Sequence, residues 1–174
     1  MRRLFLIRHA KAEPGIGQND YERALTERGR ADASRLATLL ATREPLPAVL
    51  IHSSALRTTQ TAEIFAAHWP SRVELQQEIG LYDATQDMLR HRVQALSDSV
   101  GCVGLVGHNP GIGELAVALS GHGAHTEIRR MALKFPTCGV AAIDFDAASW
   151  DDVERRSGLL SLFLTPADLE AETD

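Results

Sequence analysis

Three short apolar runs constrain what this chain can fold into. Residues 4–7 read Leu-Phe-Leu-Ile, residues 48–53 read Ala-Val-Leu-Ile-His-Ser, and residues 101–108 read Gly-Cys-Val-Gly-Leu-Val-Gly-His. None alternates apolar with polar, which is the pattern of a strand buried on both faces in a helix-covered parallel sheet. Segments of helical period separate them. Thr26 is placed to cap a helix over 27–42, where Ala33, Leu36, Ala37 and Leu40 share a face. Ala62, Phe65 and Ala66 keep helical spacing within 56–68, and Met88, Val93 and Leu96 do so within 85–97. Asn109 and Pro110 open a helix running to about 120, with proline near the first turn, where its missing N–H costs little. Residues 12–24 hold Pro14, Gly15 and Gly17 and read as a loop, and 72–76 read as a short strand. Two further strands, 139–146 and 158–165, are joined by a short connection that predicts antiparallel pairing. The expectation is one α/β domain over residues 1–166, with a mostly parallel mixed sheet flanked by helices on both faces. An acidic C-terminal tail, 167–174, follows as loose chain or a frayed helix.

Lysine and arginine total 18 against 23 aspartates and glutamates, a formal charge of −5. Nucleic-acid and anionic-membrane binders need a basic surface, so neither partner is expected. Cys102 and Cys138 lie in apolar stretches and read as buried free thiols. The apolar run after Arg2 and Arg3 is too short for a signal-peptide core or a membrane span, which gives a cytoplasmic location as the expectation. Oligomeric state is open.

In sheets of this kind, ligands sit beyond the carboxyl ends of the strands. The first run ends in Arg8-His9, the second leads to Arg57 just inside the next helix, and the third ends in His108 before a helix start. Two arginine forks suit a dianionic phosphoryl group, and a helix N-terminus favours the same charge. A neutral imidazole nitrogen is a nucleophile. Together these residues read as transfer of a phosphoryl group onto one histidine and then to water. The other histidine donates to oxygens whose charge grows in the transition state. No metal or other cofactor is required if arginines supply the positive charge.

The motifs "LIRHA", "SSALRTTQTAEIF" and "VGHNPGI" resemble, in order, the blocks of the histidine phosphatase superfamily, also called phosphoglycerate mutase-like. "RHAKAE", "ERALTERGR", "LYDAT" and "GHNPGI" are similar to its SixA-type phosphohistidine phosphatase branch. The resemblance implies a phosphoglycerate mutase-like fold. It implies His9 as the phosphorylated nucleophile, Arg8, Arg57 and His108 holding the phosphoryl group, and Arg23 as a further contact at the mouth. Lys11 and Asn109 flank the motifs. Ala10 stands where the family motif has glycine, so the backbone there should not need a glycine-only conformation. The wider superfamily often carries a glutamate general acid between the second and third blocks. Here Asp83 is the candidate, with Glu78 or no acid as alternatives, and Asp83 reads equally as a helix N-cap or first-turn acid.

Imidazole leaves more readily than an alkoxide, because protonated histidine has a reference pKa of about 6.5. A doubtful acid therefore favours a P–N substrate. Between His68 and Gly101 there is room for one short strand and one helix, with no long insertion to close over a small substrate. The expected substrate is phosphohistidine on a phosphocarrier or phosphotransfer domain, which places the enzyme in signal transduction. The alternatives are a small-molecule phosphomonoesterase or mutase of the same superfamily, or a phosphoprotein-binding module without catalysis. A Mg-dependent aspartyl phosphatase is a different class of reading: Asp144 and Asp146 end an apolar run as Asp-x-Asp, but no suitably spaced lysine follows. Gly111-Ile-Gly113 mimics a dinucleotide fingerprint and reads instead as serving the phosphate-side turn. His122 and His125, among Gly121 and Gly123, read as an exposed loop, and His52, His68 and His91 carry no functional expectation.

Overall fold

The computed structural model describes residues 1–171. Its frame is a seven-stranded sheet in the order β3-β2-β4-β1-β6-β7-β5. The strands are β1 (Arg2–Arg8), β2 (Val49–Ser53), β3 (Glu74–Glu78), β4 (Cys102–Gly107), β5 (Ser120–Gly123), β6 (Val140–Phe145) and β7 (Gly158–Leu164). Parallel pairs join β1 to β4, β4 to β2, β2 to β3 and β5 to β7. Strand β6 runs antiparallel to both β1 and β7, so it alone opposes the common direction.

Helices cover both faces, and β1 shows why. Leu4 and Leu6 enter one hydrophobic cluster with Leu115, Met131 and Trp150. Phe5 and Ile7, one residue out of phase, enter the other with Leu36, Phe65 and Trp69. A strand with apolar neighbours on both sides cannot alternate, which accounts for the unbroken Leu4–Ile7 run. The second cluster belongs to α1 (Glu27–Leu40), α2 (Leu56–His68) and α6 (Pro166–Ala171); the first belongs to α3 (Gln86–Gln94), α4 (Gly111–Leu119) and α5 (His125–Leu133). Thr26 caps α1, its side chain accepting from the Gly29 N–H.

Two segments depart from the expectation. The Gly-rich stretch around His122 is an edge strand, β5, and His125 begins α5. "SGHG" has little strand propensity of its own; its pairing is fixed by β7. The acidic end from residue 167 is helical through Ala171, and Leu169, only 7% exposed, packs into the α1–α2 cluster. The domain therefore continues to Ala171. The rest of the expected tail, 172–174, lies outside the described residues.

Among the described residues, no helix is long and apolar enough to cross a membrane. Cys102 and Cys138 are free and buried. Burial pushes the Cys102 thiol up to about 12 and the Cys138 thiol higher still.

Candidate active site

The sheet order brings together what the sequence keeps far apart. Strands β2, β4 and β1 are neighbours, so Arg57, His108 and the Arg8-His9 pair emerge side by side at one sheet edge. Arg8 lies opposite Gly107 in the β1–β4 register, one residue before His108. A cavity of about 430 Å³ opens there, lined by Arg8, His9, Arg57 and His108 and also by Arg23 and Asp83. Between β1 and β4 the chain reverses its direction of progress across the sheet, the switch point where α/β sheets bind ligands.

His9 is 9% exposed, and its Nδ1 donates to the Ala10 carbonyl at 2.8 Å. The Nε2 atom then carries the ring lone pair. Burial, opposed in part by the Ala10 bond, takes its pKa down to about 3, with His108, Arg57 and Arg8 adding repulsion. His9 is thus a neutral imidazole of fixed tautomer at neutral pH. The Ala10 backbone lies outside the positive-φ region, as the replacement of glycine by alanine requires.

The second block works as a brace. The Thr61 hydroxyl accepts from the Ala10 N–H at 3.1 Å and donates to the Arg57 carbonyl at 2.7 Å, tying the His9 turn to α2. Ser53 Oγ lies 2.6 Å from His108 Nε2 and 2.9 Å from Thr58 Oγ1, which orients the second ring. The imidazoles of His9 and His108 are 5.3 Å apart between centroids. Burial first, then Arg57, lowers His108 to about 4.

Arg8 donates through Nη1 to the Phe135 carbonyl at 3.0 Å, the same oxygen that accepts from Asn109 Nδ2 at 2.8 Å. Asn109 Oδ1 also accepts from the Gly113 N–H, so Asn109 anchors the start of α4. At Gly111 an added Cβ would lie 2.2 Å from the Ala84 carbonyl oxygen, so glycine lets the Tyr82–Thr85 wall close against that helix. The Gly-x-Gly pair thus serves the turn beside the cavity.

Asp83 lines the cavity and is exposed. It does not cap α3: that position is Thr85, which accepts from the Met88 N–H. Glu78 is taken by Arg92, whose guanidinium reaches both carboxylate oxygens at 2.6–3.0 Å. The Asp-x-Asp rival also fails on position. Asp144 pairs with Arg3 across the β1–β6 register, at the sheet end opposite Arg8, with contacts of 2.5 and 2.8 Å. Among the described residues, no group of three histidine, cysteine or acidic side chains could hold a metal ion.

Asp20, Tyr82, Ser53 and Glu114 were not legible as site residues. Tyr82 and Ser53 sit inside the quoted motifs "LYDAT" and "SSALR", which is the signal that could have found them. Asp20 and Glu114 line the cavity with no motif of their own singled out. The Tyr82 ring meets His108 edge-on at 5.4 Å and stacks on Tyr21 at 4.1 Å.

Both imidazoles tie stability to pH. The unfolded histidines titrate near 6.5, whereas the folded ones resist protonation down to about 3 and 4. Between those values the unfolded chain binds more protons, so stability falls as pH falls. The melting temperature should drop by on the order of 10 °C from pH 7 to 4. A His9→Asn/His108→Asn double variant should flatten much of that slope in thermal melts. Asp20, held below the usual carboxylate range chiefly by the Tyr82 hydroxyl, loses its contribution only at lower pH.

Comparison with known proteins agrees with this geometry. The model of the histidine phosphatase superfamily (branch 1) matches residues 4–88. An uncharacterised protein of Mycobacterium leprae is 32% identical over 165 residues, covering 92% of this chain and 99% of the relative. Among solved structures, a proposed phosphohistidine phosphatase SixA of Agrobacterium tumefaciens is 29% identical with a TM-score of 0.79, covering 95% of this chain and 98% of the other. Its counterpart from Nakamurella is 26% identical with a TM-score of 0.81, covering 95% and 96%. The chain belongs to the histidine phosphatase superfamily, in its SixA-type branch, and is a histidine-dependent phosphatase.

Proposed function

We propose that this phosphatase removes the phosphoryl group from phosphohistidine on another protein, through a phosphorylated His9. The observation that carries the reading is the convergence of Arg8, His9, Arg57 and His108 at one cavity, with His9 held neutral and its Nδ1 already bonded. His9 Nε2 attacks phosphorus, the bond from phosphorus to the substrate imidazole breaks, and its electron pair stays on the departing nitrogen, which takes a proton. Water then attacks the phosphorylated His9. The P–N bond breaks toward Nε2, and inorganic phosphate leaves. Arg8 and Arg57 hold the equatorial oxygens, His108 donates to them, and Arg23 receives the group at the mouth. Asp83, which lines the same cavity, is the candidate to protonate the departing nitrogen.

A protein-borne substrate is supported by the open surroundings. Between Trp69 and Gly101 the chain forms only β3, a single 3-10 turn and α3, with no insertion over the cavity. Arg8, Asn109, Pro110 and Glu114 are shared with a neighbouring groove of about 690 Å³, which extends the accessible face along α4 and α5. The names of the two SixA neighbours point to the same substrate class. Such a substrate would place the protein in the cytoplasm, in a phosphotransfer pathway.

The test is a turnover panel of a phosphohistidine-bearing phosphotransfer domain, a phosphoglycerate and an aryl phosphate, each with and without EDTA. The phosphohistidine protein should be hydrolysed with the highest kcat/KM, unaffected by EDTA. Hydrolysis of the small esters alone would overturn the substrate; loss of activity with EDTA would overturn the arginine-based mechanism.

A further inference from the structure

Asp20 is one of two cavity carboxylates, with Glu114, that the reaction above leaves without a role. It begins a 3-10 turn, Asp20–Glu22, and faces the cations meant for the substrate. Its Oδ2 accepts from Arg57 Nη2 at 3.0 Å, and its backbone carbonyl accepts from Arg57 Nη1 at 2.7 Å. Its Oδ1 accepts from Arg23 Nη1 at 3.0 Å, and the Tyr82 hydroxyl donates to Oδ2.

The geometry of Arg57 turns these contacts into a competition. A guanidinium grips an oxyanion in two-pronged fashion either through Nε and Nη2 or through Nη1 and Nη2, so Nη2 belongs to both grips. Its two hydrogens are engaged, one by Asp20 Oδ2 and the other by His108 Nδ1 at 3.4 Å. The Nε atom is buried without a hydrogen-bond partner. A phosphoryl group therefore cannot take a two-pronged grip on Arg57 while these contacts stand. A phosphoryl oxygen that takes a hydrogen bond from His108 Nδ1 needs that nitrogen protonated, with Nε2 accepting from Ser53, and this ends the 3.4 Å contact; Asp20 is then the remaining partner that must give way. Like charge adds to this, since a carboxylate beside a phosphoryl dianion is repelled.

We propose that Asp20 is a specificity-determining residue. It is an internal anion that occupies Arg57 and Arg23 and yields only to a group with enough charge and oxygens to replace it. A phosphoryl dianion meets that condition. A monoanionic phosphodiester or a free carboxylate does not, because an equal charge already sits in place. The turn can move at small cost: residues 13–22 are all exposed, and none of the turn is buried. Gly17 precedes it at φ +73°, a conformation open to glycine. What resists the movement is the Tyr21–Tyr82 stack, the Tyr82 hydroxyl on Asp20 and the arginine contacts themselves.

The inference rests on the phosphoryl site proposed above, and the experiment separates the two. Binding of inorganic phosphate and of bis(p-nitrophenyl) phosphate is measured by calorimetry for the wild type, Asp20→Asn, Asp20→Ala and Arg57→Ala. The Asp20 side chain is half-exposed, so both Asp20 variants should bind inorganic phosphate about tenfold tighter, rather than by orders of magnitude more. They should also gain affinity for the diester, and KM for an aryl phosphate should fall more than kcat changes. Phosphate binding that is lost in Arg57→Ala but unchanged or weaker in both Asp20 variants would overturn the role of Asp20 alone. Binding indifferent to Arg57 would overturn the phosphoryl site itself. A wild-type structure with tungstate bound provides the check that needs no variant: the Arg57–Asp20 contact should be broken, and its persistence would overturn the inference.

Discussion

Replacing His9 with alanine should reduce turnover by about 10⁴-fold or more and abolish trapping of ³²P on the protein. The size follows from losing the covalent route itself. His108 cannot substitute, because its Nε2 is committed to Ser53 Oγ at 2.6 Å and its ring stands 5.3 Å from that of His9. The converse variant sharpens the assignment. His108→Ala should turn over slowly yet still trap label on His9, since in the proposed mechanism it removes a stabilising donor and not the nucleophile. Rapid-quench labelling of both variants decides between them, and label retained in His9→Ala would reverse the roles of the two histidines.

Arg57→Ala should lower kcat/KM by about 10²- to 10³-fold, the range seen when one preorganised donor to a transition-state oxyanion is removed. Arg57→Lys should recover little of it, because an ammonium cannot hold two oxygens in one plane. Arg57 is buried, and its guanidinium lies 5.9 Å from the Tyr82 ring centre. Some of the loss could therefore come through packing. Steady-state kinetics with parallel thermal melts separates the two: a catalytic defect appears at a temperature where the variant is fully folded.

Much of the candidate site is legible in the chain because each candidate residue sits at a fixed distance from an apolar run. The Leu4–Ile7 run delivers Arg8 and His9, the Cys102–Gly107 run delivers His108, and the α2 turn after Ser53 delivers Arg57. These are local consequences of where buried strands end. The strand β5 and helix α5 were not legible, because the strand pairing of "SGHG" comes from β7, a segment 35 or more residues away. Asp83 could be read as a helix cap or as a cavity acid until Thr85 was found to hold the cap. Asp20 was hidden because a carboxylate in a Gly- and Pro-containing loop looks like any solvated turn acid. Only the folded chain shows that its partners are Arg57, thirty-seven residues away, and Tyr82, sixty-two away.

The sequence by itself determined the α/β class, the three strand exits and the four residues that meet at the cavity. Periodicity and strand ends are written in local order and need no knowledge of the sheet. The tertiary structure decided the rest. It set β4 between β1 and β2, so that distant exits become neighbours. It fixed the His9 tautomer through the Ala10 carbonyl and assigned Glu78 to Arg92. It also put Asp20 on the arginines. Each of these depends on which groups lose water together, and that is settled only when segments far apart in sequence pack against one another.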